Sequence, residues 1–83
     1  MKVVPVKVGQ VRIVADHLPM WKTMAAAAGS GELALTPGTV VMLVDQHDPP
    51  SGFLAGRWYE LLIDGVLRVS RYDLINDRTW LLE

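Results

Sequence analysis

The sequence predicts a mainly-β fold, and three observations carry that expectation. β-Branched residues alternate with polar ones near the N-terminus, an unbroken apolar run lies at 39–44, and an Asp-Gly pair separates two apolar-rich segments at 58–70. With 83 residues the chain makes one domain, spanning 1–83.

The first segment reads KVVPVKVGQVRIV over 2–14. Val4, Val6 and Val8 alternate with Pro5 and Lys7, and Val11 and Ile13 alternate with Arg12. Two short strands broken at Gly9-Gln10 are expected. Pro5 cannot donate to a ladder, so residues 1–9 read as an N-terminal extension or edge strand.

Residues 16–38 form a long excursion with two open readings, a short helix or an irregular loop. In the helical reading Asp16 is the cap, Pro19 sits in the first turn and Gly29 lies past the end. Met20, Trp21, Met24, Ala25 and Ala28 would then share one face, as core or as contact surface. Pro37-Gly38 marks a turn. The run Thr39-Val40-Val41-Met42-Leu43-Val44 predicts a strand covered on both sides, by the core on one and by the 15–35 excursion or another chain on the other. Residues 45–56 read as a loop, with Phe53 and Leu54 offered to a partner.

Residues 57–62 and 66–70 predict a hairpin. A two-residue turn would oppose Leu61 to Arg68 and Glu60 to Val69, mixing charged and apolar groups on each face. A three-residue turn, Ile63-Asp64-Gly65 with Gly65 left-handed, opposes Leu61 to Leu67, Tyr59 to Val69 and Glu60 to Arg68. That register separates the faces, so it is the one expected. Trp58 then lies on the outer face, either exposed to a partner or covered by the 15–35 excursion. A tight helical turn at 72–75, punctuation at Asn76-Asp77 and a final strand at 79–82 complete the chain, with Trp80 packed.

The order of these elements resembles the Src-homology-3 family of small barrels. The stretch Gly31 to Leu43, the aromatic pair Trp58-Tyr59 and the segment Val69-Ser70-Arg71-Tyr72 are similar to that family's motifs, covering about residues 31–76. The resemblance implies a five-stranded barrel whose long first loop is the 16–38 excursion. Val11 to Asp16 lacks the tyrosine pair of the family's proline-peptide groove; Trp58 and Tyr72 alone match groove positions. The hairpin from Trp58 to Val69, followed by Asp73-Leu74, also resembles small barrel proteins of bacteriophages. That likeness implies a virion component of the capsid, neck or tail, or a regulator that binds a host protein.

Composition narrows the function classes. Hydrophobic residues make up 51% of the chain, an apolar surplus that points to other protein chains, a homo-oligomer or virion neighbours, as partners. Net charge is −1 with no basic stripe, which disfavours nucleic acid; Arg57, Arg68, Arg71 and Arg78 are the residues that would serve it. No run approaches a membrane span, and Met1-Lys2 leads into a valine run unlike a signal peptide, so a virion or host-cytoplasm location is expected.

Asp45, His47 and Asp48 could ligate a metal, but a solvated acidic loop is the simpler reading, and His17 reads as a loop histidine. Ser30, Ser51 and Ser70 lack the context of an activated nucleophile, and no phosphate-binding loop or dinucleotide fingerprint is present. A non-enzymatic module without cofactor or metal is expected. Its candidate partner-binding residues are Met20, Trp21, Met24, Phe53, Leu54, Trp58 and Tyr72.

Overall fold

The computed structural model describes residues 5–27, 29, 31–48 and 56–82. Among these residues seven strands and two short helices follow one another: β1 (Val11–Val14), β2 (Leu18–Met20), α1 (Met24–Ala27), β3 (Leu33–Leu35), β4 (Val40–His47), β5 (Trp58–Ile63), β6 (Val66–Arg71), α2 (Tyr72–Arg78) and β7 (Thr79–Leu81). Five strands form an antiparallel sheet in the order β6-β5-β4-β1-β7, and β2 pairs with β3 in a separate two-stranded sheet.

The mainly-β expectation holds, but the five-stranded sheet is open rather than closed into a barrel. Its end strands β6 and β7 do not pair. The edge of β6 is taken instead by the end of β2, where the Trp21 and Val69 backbones exchange hydrogen bonds of 2.9 and 2.8 Å. Beside it the Ser70 hydroxyl donates to the Pro19 carbonyl at 2.7 Å.

The 16–38 excursion is therefore neither one helix nor an irregular loop. Leu18-Pro19-Met20 is extended, with Leu18 opposite Leu35 and Met20 opposite Leu33. Leu18 and Met20 are buried, so a period of two governs this stretch. Asp16 caps no helix; its carboxylate accepts from the His17 amide. The helix begins later. Thr23 supplies the cap, its Oγ1 accepting from the Ala26 amide at 3.1 Å.

Residues 5–8 carry no strand, although Val6 is buried and its carbonyl accepts from the Tyr59 hydroxyl at 3.1 Å. The expected edge strand is thus absent over 5–8, and Val4 lies outside the described residues. Tyr72–Arg78 is a helix of seven residues rather than a single turn, running through Asn76-Asp77. Ile75 anchors it in the core, and Thr79 ends it, with its amide and its hydroxyl both donating to the Ile75 carbonyl.

The hairpin does not take the register that separates the faces. Leu61 stands opposite Arg68, Glu60 opposite Val69 and Leu62 opposite Leu67, around a two-residue Asp64-Gly65 turn. Both turn residues have positive φ, 51° and 81°, the signature of the mirror-image turn that matches strand twist. The left-handed Gly65 agrees with expectation; the left-handed Asp64 does not. The separated-face register fails because the outer face of this hairpin is not simply solvated. Val69 is needed there, in a second cluster with Trp58 and Ala27, against which Trp21 and Met24 pack.

The main core lies on the other side of the sheet. It joins Val6, Val14, Leu18, Val41, Leu43, Tyr59, Leu61 and Ile75, with Tyr72 and Leu74 packed against it. Arg12 also points into this side and is 3% exposed.

Candidate interaction surface

Strand alternation assigns the outer face. Val41 and Leu43 point into the core, so Val40 and Met42 point away from it. Direct cross-strand partners share a face, which extends the assignment across the sheet. One row runs Val11, Met42, Leu62, Leu67 across β1, β4, β5 and β6. The Leu82 amide donates to the Val11 carbonyl at 2.8 Å and brings Leu82 to the end of this row. A second row runs Trp80, Ile13, Val40 across β7, β1 and β4.

No position in either row carries a charge. Val40, Met42, Leu67, Trp80 and Leu82 are all exposed, Trp80 and Leu82 by 50% and 54%. Two expectations are corrected here. Within the chain the 39–44 strand is covered on one side only, so the 16–38 excursion does not supply its second cover, and Trp80 is not packed. Both corrections come from β1: its buried residues are Arg12 and Val14, which leaves Val11 and Ile13 on the outer face. Between the rows and the hairpin turn lies an open hollow of about 450 Å³, lined by Val11, Thr39, Val40, Met42, Leu62, Ile63, Asp64 and Gly65.

Further along the same face the character changes. A bulge between Leu43 and Asp45 shifts the register, and Asp45 then pairs with Glu60 and His47 with Trp58. The His47 Nε2 lies 3.5 Å from a Glu60 carboxylate oxygen and 4.0 Å from Asp45. Asp48 instead accepts from the Gln46 side chain at 2.7 Å. Among the described residues no group of three or more His, Cys, Asp or Glu side chains is arranged to hold a metal ion.

The candidate partner-binding residues scatter. Trp58 is 3% exposed and meets Trp21 edge-on, with ring centroids 5.4 Å apart. Met20 is buried, and Met24 and Trp21 are half-buried against the Trp58 cluster. These four residues make their contacts within the chain. Tyr72 lies apart from Trp58, packed on the main core with Tyr59 at 6.3 Å and the Arg57 guanidinium 5.2 Å over its ring. Phe53 and Leu54 lie outside the described residues.

Of the four arginines that would serve nucleic acid, Arg57 and Arg71 line one hollow together with Tyr72 and Asp73. Arg71 pairs with Asp73 at 3.2 Å, Arg78 donates to the His17 carbonyl at 2.8 Å, and Arg68 donates to the Leu67 carbonyl at 2.8 Å. No helix among the described residues is long and apolar enough to cross a membrane.

Comparisons with family models, with curated proteins and with solved structures each find no significant match to the chain.

Proposed function

We propose that this chain is a non-catalytic protein-interaction module on a Src-homology-3-like frame, serving as a component of a bacteriophage particle. The two uncharged rows on the outer face of the sheet carry the reading. Exposed apolar rows that cross several strands are the surface a protein partner covers. The frame is supported by chain order: a strand, an excursion holding β2, α1 and β3, a second strand, a hairpin, a helical segment and a closing strand. The virion setting is supported by the likeness of the 58–69 hairpin and Asp73-Leu74 to small phage barrels.

A protein partner is favoured over nucleic acid by the way the cations are engaged. Arg57 and Arg71 share one hollow, but there Arg71 is neutralised by Asp73 and Arg57 lies over the Tyr72 ring, and Arg68 and Arg78 are turned to backbone carbonyls elsewhere. Mass spectrometry of purified particles tests the virion reading. Detection of the chain in several copies per particle supports it. Its absence from particles, with the chain found instead in complex with a protein of the host, overturns it in favour of a host-directed regulator.

A further inference from the structure

We infer that the outer face of the sheet pairs with the same face of a second copy, each Trp80 filling the hollow beside the partner's Asp64-Gly65 turn. The inference rests on the protein-interaction reading and names the occupant of its surface.

The face is self-complementary in chemistry. With no charge in its two rows it offers nothing to attract a charged partner, and a second apolar face satisfies it fully. It is self-complementary in shape as well. An aromatic side chain, Trp80 on β7, projects from it, and a hollow of about 450 Å³ lies between β4, β5 and the hairpin turn. Strand β1 lies between knob and hollow. A twofold axis along β1 would lay β7 of each copy over β4 and β5 of the other, so both hollows fill at once. The strands of the two sheets would then run nearly aligned, the usual arrangement for sheets packed face to face.

The area is sufficient. The exposed apolar groups leave on the order of 500 Å² open, at the upper end for the largest patch of a monomer. Two such faces together bury about 1,000 Å² in total, the lower limit for a specific interface.

Sedimentation equilibrium across a range of concentrations tests the pairing. A particle of twice the 9.2 kDa chain mass is expected. Trp80→Ser and Met42→Lys should each weaken the dimer by at least ~10-fold, as loss of a central interface anchor does. Leu33→Ser, an exposed apolar position on β3, should leave it unchanged. Far-UV circular dichroism confirms that each variant is folded; should Trp80→Ser not fold, Met42→Lys decides. A monomer at all concentrations, or a dimer indifferent to both substitutions, overturns the pairing. A monomeric chain found in purified particles overturns the pairing and leaves the interaction reading standing. A dimer that dissociates on substitution but is absent from particles supports the pairing and overturns the virion role.

Discussion

Arg12 is the residue whose position least resembles its composition. Its Nε donates to Thr79 Oγ1 at 2.7 Å, its Nη1 to Gln10 Oε1 at 2.9 Å and its Nη2 to the Thr79 carbonyl at 3.3 Å. The ion pairs formed among the described residues do not include it. A buried cation held only by neutral acceptors costs solvation that the hydrogen bonds offset in part. Burial pushes its pKa down, and the electrostatic influence of Tyr72 opposes that shift. The unfolded chain therefore holds this proton to higher pH than the folded one, so stability from Arg12 rises only at strongly alkaline pH. Arg12→Met, which keeps the stem and removes the charge, is expected to stay within about 1 kcal/mol of the parent or exceed it. Arg12→Ala should lose about 2–4 kcal/mol through the void it leaves. Urea denaturation measures both, and parent and Arg12→Met should show parallel stability between about pH 5 and 8. Alternation makes Arg12 legible as the odd member of its strand, but not which side of the strand faces in. That side is set by Thr79, 67 residues away in sequence.

At the scale of elements, what the sequence makes legible depends on whether a signal is local. Strands β5, β6 and β7 lie where the apolar patterning and the Asp-Gly pair place them, and β4 lies on the expected apolar run but continues through Asp45-Gln46-His47, read as loop from their polarity, because they pair with Trp58-Tyr59-Glu60. The β2 stretch escapes a local reading because Pro19 and the following Ala-rich run favour a helix, while the pairing that extends it, with β3, is a tertiary contact. The hairpin register escapes it for the same reason. Separating polar from apolar residues favours the three-residue turn, but the cluster of Trp58, Val69 and Ala27 makes the outer face partly a second core. The turn itself gives a direct test. A methyl group added to Gly65 would meet open space, so crowding does not exclude a side chain there; the φ of 81° is what disfavours one. Gly65→Ala should cost about 1 kcal/mol, and Asp64→Asn should be neutral or slightly stabilising, since asparagine suits this turn better. Thermal unfolding of the two variants checks the pair, and a harmless Gly65→Ala would contradict the two-residue turn.

For the whole molecule, the candidate surface is legible only in part. The apolar surplus announces that some side chains lack a place in the core, and local sequence points to Met20, Trp21, Met24 and Trp58 as those residues. They are bulky, and three of them cluster in sequence, which is also what suits them to a second core. The outer rows draw two residues each from β1 and β4 and one each from β5, β6 and β7, and no local window contains them. If two copies pair through these rows, folding and association are linked. The melting temperature should then rise with protein concentration for the parent and stay constant for Trp80→Ser, as differential scanning calorimetry would show.

The short outermost strands have a consequence for how copies can assemble. β7, at one end of the five-stranded sheet, and both strands of the second sheet are three residues each, Pro19 lies in β2, and the six-residue β6 at the other end is met at Val69 and Ser70 by Trp21 and Pro19. So short a row of unpaired backbone groups gives an incoming chain little to add to, and ribbon-like growth from strand to strand is discouraged. If copies pair as inferred, contact is thereby directed to the broad faces, where a twofold pair closes at a fixed stoichiometry instead of running on into fibres.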